Sequence, residues 1–116
     1  MTTPVLTISA VNTTAPLIPG VAEAPCQRLL AVLQGQPAVE AVWLYGSRAM
    51  ERHRDGSDID LALDGARLSH AELLALMAAI DDLLLPWQVD LSLRHQLPAD
   101  LQAHIARVGR CIWRRP

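Results

Sequence analysis

Hydrophobic and polar positions follow two periodicities along the chain. Helical spacing predicts helices, and alternation with period two predicts strands. An apolar stripe at helical spacing starts near Pro25 and stops at Gly35, which predicts a first helix. Residues 39–45 (VEAVWLY) form a short, mostly apolar run that ends at Gly46, which predicts a strand. The polar residues 46–57 fit a connection that contains a short helical turn.

The same two periodicities occur in the middle of the chain. Residues 58–63 (DIDLAL) alternate polar and apolar side chains, which is typical of a strand with one buried face. Ser69 and Glu72 have the spacing of a capping box, and an apolar stripe continues this helix over residues 69–85. Residues 87–93 (WQVDLSL) alternate again, which predicts a third strand.

The end of the chain adds a helix and a short strand. Pro98 opens the helix, Gly109 closes it, and residues 111–113 fit the strand. We therefore expect a small α/β (α+β) domain over residues 22–116, with a mixed β-sheet flanked by helices. The Thr- and Pro-rich residues 1–21 contain no charged side chain, and we expect them to form an extended N-terminal arm.

Composition and charge exclude several functions. The 116-residue chain has a formal net charge of −2, which excludes a generic basic nucleic-acid binder. All 10 of its basic residues are arginines, which excludes a lysine nucleophile, a Schiff base and a phosphate-binding lysine. Cys26 and Cys111 are far apart, so neither a zinc site nor a disulfide framework follows. The absence of a long apolar run and of a signal-peptide pattern predicts a cytoplasmic protein that does not bind membranes.

The strands place acidic residues on their polar faces. Asp58 and Asp60 lie two positions apart, with their Cα atoms about 6.6–6.8 Å apart on one face of a strand. Asp90 has the matching position in the strand over residues 87–93. A right-handed crossover through the intervening helix would place the two strands side by side and parallel. We therefore expect the three carboxylates to converge on one patch.

Converging carboxylates repel one another, by about 2–3 kcal/mol per pair at an effective dielectric constant near 20. A shared proton, with a raised pKa, would relieve this repulsion, and so would a divalent cation. Oxygen ligands without His or Cys favour Mg²⁺ or Mn²⁺. A lone D-x-D pattern on a solvent-facing strand is ordinarily only a polar surface, so these residues do not decide the chemistry by themselves.

The turn before the first aspartate strengthens the case for phosphate chemistry. Gly46 and Ser47 follow a strand and precede a possible helix, so backbone N–H groups there can approach a phosphate. Arg48 can pair with a phosphate oxygen. The joint pattern G-S-x10-D-x-D arises by chance in roughly one chain in a thousand of this length. A phosphate cradle that faces a carboxylate-held metal is the equipment of phosphoryl or nucleotidyl transfer.

The segment GSRAMERHRDGSDIDLAL resembles the signature of the DNA polymerase β-like nucleotidyltransferase superfamily. The short chain looks most like the minimal nucleotidyltransferases (MNT), which are the antitoxin partners of HEPN-domain toxins. The resemblance covers about residues 22–115 and implies the polymerase β-like fold. It departs from the family pattern at Met50-Glu51, where many relatives carry a glycine, and at Ser92, where many carry a second acid.

The resemblance implies a role for each matched residue. The turn would bind the ATP phosphates and the acids would bind two Mg²⁺ ions and carry catalysis. The nucleotide-binding residues are then Gly46 and Ser47, joined by Arg48 from its place in the turn, and the metal ligands are Asp58, Asp60 and Asp90. Asp90 would complete the metal site that activates the attacking hydroxyl.

The activity that the resemblance implies is transfer of AMP from ATP to a hydroxyl, typically a tyrosine, of a partner HEPN toxin, which silences the toxin. We therefore expect a hetero-oligomer with that toxin, ATP as substrate and no direct binding of nucleic acid. The alternative is a non-catalytic antitoxin that neutralises its partner by binding. An antibiotic- or tRNA-modifying nucleotidyltransferase is disfavoured, because such relatives hold their acceptors with additional domains.

Overall fold

The structure, a computed structural model, describes residues 16–116. Most of the N-terminal arm that we predict over residues 1–21 lies outside this range. Where the arm enters it, the chain packs against the domain, because Ile18 and Val21 are buried in the main core. The packed part of the protein therefore begins before residue 22.

The described chain contains every helix and strand that the hydrophobic pattern predicts. In chain order the elements are α1 (Glu23–Gln34), β1 (Ala41–Tyr45), α2 (Gly46–Ala49), β2 (Ile59–Asp64), α3 (His70–Asp81), β3 (Val89–Leu93), a 3₁₀ turn (Arg94–Gln96), α4 (Ala99–Val108) and β4 (Arg110–Arg114). The largest difference is the end of α3, which stops at Asp81 rather than at residue 85. The chain leaves the helix there through a turn in which Leu84 has a positive φ of 54°.

Local sequence signals explain where the helices begin and end. At the start of α3, Ser69 Oγ accepts a hydrogen bond from the Glu72 N–H, and the Glu72 carboxylate accepts one from the Ser69 N–H. This reciprocal capping box satisfies two N–H groups that have no partner inside the helix. Gly35 caps α1 at its C-terminus and Gly109 caps α4, as predicted.

The four strands form one mixed sheet in the order β3-β2-β1-β4. Strand β1 is antiparallel to both β2 and β4, whereas β2 and β3 are parallel. The parallel pair is joined through α3, so the predicted crossover that places these two strands side by side is confirmed. The mixed α/β fold with a sheet flanked by helices is also confirmed.

The two faces of the sheet have different surroundings. One face packs on α1 and α3 and forms the main core, which includes Leu29, Leu33, Val42, Leu44, Ile59, Leu61, Leu63, Leu73, Leu76 and Ile80. The other face has a small apolar cluster of Tyr45, Ala62 and Ile105, with Ile105 contributed by α4. Because this cluster covers only part of the second face, the polar side chains of β2 and β3 have room beside it. Within residues 16–116 no helix has both the length and the apolarity needed to span a bilayer.

Candidate active site

Asp60 and Asp90 stand opposite each other on the parallel strands β2 and β3. Asp60 is half-buried and Asp90 is exposed. Burial raises the pKa of Asp60, and the negative charges of Asp90 and Asp58 raise it further. The structure therefore places Asp60 opposite Asp90, with the charge of Asp58 near enough to affect the pKa of Asp60.

Gly46 lies directly over the Asp60 side chain. Its φ of 75° falls in the left-handed region, which glycine adopts without strain. A β-carbon at position 46 would also collide with Asp60 Oδ2 and approach Asp60 Cγ to 3.2 Å. Both the backbone angle and the lack of space therefore require glycine, and the turn can lie close to the carboxylate only because of it.

Ser47 continues this turn as the second residue of α2. It is half-buried, and its carbonyl oxygen accepts a hydrogen bond from the Arg52 N–H at 2.8 Å. This bond closes the turn back toward the loop that leads to β2. The structure thus places Gly46 and Ser47 together at the Asp60 end of the sheet, and their binding of phosphate stays a prediction.

Arg48, which we predict to pair with a phosphate oxygen, is buried; burial lowers its pKa, and the nearby charges of Asp55 and Asp58 oppose this effect. Its side chain is only 1% exposed. The guanidinium donates from Nε and Nη2 to the Ser57 carbonyl oxygen at 3.2 and 2.8 Å, and from Nη1 to the Pro19 carbonyl oxygen at 2.7 Å. Arg48 therefore ties the N-terminal segment to the loop before β2, and its pairing with a phosphate stays a prediction.

Sequence reasoning did not select His104, which contacts this turn. It lies on α4, 58 positions after Gly46, and its Nε2 accepts a hydrogen bond from the Gly46 N–H at 3.3 Å. Its ring meets that of Tyr45 edge to face, with the centroids 6.3 Å apart. No spacing rule links a histidine on the last helix to a turn after the first strand, so only the fold could reveal this contact.

Tyr45 joins the apolar cluster to the acidic patch. Burial raises the pKa of its hydroxyl, a hydrogen bond with the Ser92 side chain opposes this effect, and the charges of Asp60 and Asp90 add to the increase. Tyr45 as a whole is 8% exposed, so it is buried next to the carboxylates.

The comparison with known families decides the class of the domain. Residues 27–116 match the family described as "Polymerase beta, Nucleotidyltransferase", which covers most of the chain. The chain belongs to this nucleotidyltransferase family. The resemblance noted in the G-S-x10-D-x-D segment is thereby confirmed. No curated protein matches the sequence significantly.

Solved structures of toxin–antitoxin complexes share the fold of this nucleotidyltransferase. One complex, determined with AMP-PNP, has a TM-score of 0.65 at 22% identity, over 77% of this chain and 73% of that one. A second contains a tri-AMPylated HEPN toxin and an MNT antitoxin from Shewanella oneidensis, with a TM-score of 0.60 at 20% identity over 78% and 71% of the two chains. A third is a mutant MntA–HepT complex, with a TM-score of 0.63 at 22% identity over 77% and 72%. At these identities the likeness concerns the fold.

The acids of the nucleotidyltransferase have suitable donors for Mg²⁺ but are not gathered around one point. Within the described part of the chain, no three His, Cys, Asp or Glu side chains are close enough together to hold a metal ion. Asp58 lies just before β2 and is exposed, so its side chain is free to stay away from Asp60 and Asp90, as like charges do. Hard carboxylate oxygens nevertheless fit Mg²⁺, and a cation would offset the burial and the repulsion that together raise the pKa of Asp60.

Proposed function

We propose that this nucleotidyltransferase transfers AMP from ATP to a tyrosine hydroxyl of a partner HEPN-domain toxin and thereby acts as its antitoxin. The observation that carries the proposal is the glycine turn that lies over Asp60, on the strand where Asp60 faces Asp90. The turn that would bind phosphate and the carboxylate pair then lie at the same end of the sheet. Nucleotidyl transfer requires this juxtaposition of triphosphate and acidic groups.

In the proposed reaction the tyrosine oxygen attacks the α-phosphorus in line with the leaving pyrophosphate. The bond between the tyrosine oxygen and the α-phosphorus forms, the bond to pyrophosphate breaks, and the phenolic proton passes to solvent. The Gly46-Ser47 turn would hold the terminal phosphates, and Asp58, Asp60 and Asp90 would hold the metal. Bound Mg²⁺ would lower the pKa of the attacking hydroxyl and offset the charge on the leaving oxygen.

The openness of the site supports a protein acceptor. Asp58 and Asp90 are exposed, and the chain has no second domain to cover them within residues 16–116. A partner must therefore provide the wall that brings the acceptor hydroxyl to the cleft. The solved complexes with a similar fold include one with AMP-PNP and one with an AMPylated HEPN toxin, which supports ATP and such a toxin as the substrates here.

The second candidate is an antitoxin that neutralises the toxin by binding alone. One observation favours it, because the carboxylates of the described chain do not form a ready metal cage. In this alternative the acidic patch is a remnant and the partner-binding surface is all that matters. Replacement of the acids separates the two candidates, since only the enzyme depends on them.

The deciding experiment combines the purified protein with ATP, Mg²⁺ and a HEPN-domain toxin, followed by intact-mass measurement of both chains. The proposal expects the toxin to gain the mass of AMP and to lose its activity. Asp60→Asn and Asp90→Asn should abolish the mass gain, whereas Asp82→Asn at the exposed end of α3 should leave it unchanged. Neutralisation without any mass gain, equal in all variants, would instead establish the binding-only antitoxin.

A further inference from the structure

A histidine on the last helix reaches the glycine turn of the proposed nucleotide site. The Gly46 N–H donates to His104 Nε2 at 3.3 Å, which requires a neutral imidazole with its proton on Nδ1. Gly46 is the first residue of α2, where backbone N–H groups lack a partner inside the helix. The histidine therefore satisfies a donor that the turn cannot satisfy by itself.

The helix that carries His104 is fixed to the sheet. The neighbouring Ile105 is 1% exposed and packs with Tyr45 and Ala62. The imidazole also contacts the Tyr45 ring edge to face. Because Tyr45 directly precedes Gly46, the two contacts of His104 hold consecutive residues at the point where β1 turns into α2.

The backbone at Gly46 has little space around it. Its backbone passes so close to Asp60 that a β-carbon would collide with the carboxylate. The charge on Asp60 attracts the positive ends of N–H dipoles, so an unheld amide could rotate toward the carboxylate instead of toward a ligand. The hydrogen bond to His104 on α4 opposes that rotation.

We propose that His104 is a positioning residue for ATP: by accepting the Gly46 N–H, it fixes the Gly46-Ser47 turn in the conformation that receives the terminal phosphates. The inference rests on the proposed function and deepens it. His104 bonds to the turn and not to the reacting atoms, so its loss should weaken ATP binding more than it slows the chemical step. The expected signature is a higher KM for ATP with little change in kcat.

Three variants separate the hydrogen bond from the bulk of the ring. His104→Phe keeps an aromatic ring against Tyr45 and removes the acceptor. His104→Gln places an amide oxygen near the position of Nε2 and should restore the bond. His70→Phe, at the exposed start of α3 on the other side of the sheet, is the matched control.

With the partner toxin as acceptor, we expect His104→Phe to raise the KM for ATP about three- to tenfold and to change kcat less than twofold. His104→Gln should recover most of the loss, and His70→Phe should behave as the unmodified protein. An unchanged or lowered KM for His104→Phe would overturn the proposal. A fall in kcat alone, or no recovery with His104→Gln, would also overturn it.

A second readout does not require catalysis. Protein labelled with ¹⁵N-glycine gives six backbone signals, one of which belongs to Gly46. The Gly46 signal should move on His104→Phe and return toward its original position on His104→Gln, with the other five little changed. If the signal behaves so while no variant transfers AMP, the positioning bond stands and the proposed function fails. If AMP is transferred but the signal does not move, the inference about His104 fails.

Discussion

Gly46 and Asp60 are in van der Waals proximity where α2 and β2 begin, with no room for a β-carbon between them. This contact joins the two ends of the G-S-x10-D-x-D pattern in space. The sequence separates the glycine from the aspartate by a loop, and the antiparallel pairing of β1 with β2 brings them together because Tyr45 stands opposite Asp60. A turn built for close approach thus lies over an acidic group.

The first prediction concerns the glycine. Gly46→Ala should abolish AMP transfer and lower the free energy of unfolding by about 1–3 kcal/mol, since the new methyl group collides with Asp60 and alanine is strained at positive φ. Gly56→Ala is the matched control, because nothing lies within 4 Å of a β-carbon there. Urea unfolding and the intact-mass assay measure the two effects. Retained transfer by Gly46→Ala would show that the turn does not need this close approach.

The second prediction links activity to a cost in stability. Asp60→Asn should abolish transfer and yet stabilise the fold at neutral pH by up to about 1 kcal/mol. The substitution removes a negative charge that is disfavoured by its burial and by repulsion from the charges of Asp90 and Asp58. The raised pKa of Asp60 makes this gain largest above the folded-state pKa. The gain disappears as the pH falls below about 3.9, the usual pKa of an unfolded aspartate.

Thermal unfolding of Asp60→Asn and of the unmodified protein, with and without Mg²⁺, measures this gain in stability. Mg²⁺ should raise the melting temperature of the unmodified protein and should affect Asp60→Asn less. A variant that melts lower than the unmodified protein at pH 7 would contradict the electrostatic account. Asp82→Asn, which alters an exposed aspartate, controls for the general loss of one charge.

The third prediction tests whether Arg48 has a structural role. Arg48→Met should destabilise the protein by about 2–4 kcal/mol, because the carbonyl oxygens of Ser57 and Pro19 lose their buried donor. Arg52→Met, at an exposed position four residues further along, should cost less than about 0.5 kcal/mol. Denaturant unfolding compares the two variants. A stable Arg48→Met protein with weakened ATP binding would restore the phosphate role that the sequence suggested.

The fourth prediction concerns an ion pair at the other end of β2. Asp64 accepts from Arg94 Nε at 2.6 Å, from Arg94 Nη2 at 3.1 Å and from Trp43 Nε1 at 2.9 Å. Burial by itself would raise the pKa of Asp64, but the hydrogen bonds from Arg94 and Trp43 and the nearby positive charges together lower it. The carboxylate therefore stabilises the folded state when it is ionised.

Asp64→Asn should lower the free energy of unfolding at pH 7 by about 1–3 kcal/mol. Because the folded-state pKa is lowered, this contribution is complete above about pH 4 and is lost as the pH falls through the folded-state value. The difference between Asp64→Asn and the unmodified protein should therefore narrow only in acid, as urea titrations from pH 7 to pH 3 would measure. A difference that is already lost at pH 6 would point to another group.

The strands, the helices and the acidic face of the sheet could be predicted because each follows from a local periodicity of hydrophobic and polar residues. Period-two alternation in residues 58–63 fixes which side chains share a face, and the crossover rule places β3 beside β2. The contact between Gly46 and Asp60 also follows from one short segment, since a strand, a turn and an antiparallel strand leave few ways to fold back. These features depend on neighbours along the chain or on one general rule of connection.

The sequence by itself thus determined the fold class, the helices and strands, and the residues that share the acidic face. Only the tertiary structure decided that Arg48 points inward, that Ile18 and Val21 belong to the core, and that His104 holds Gly46. Periodicity encodes the direction of a side chain relative to its own helix or strand, whereas these contacts join groups far apart in sequence. A long arginine side chain can reach many alternative acceptors, and a helix distant in the chain can pack in many places. The packing of the whole domain selects one arrangement.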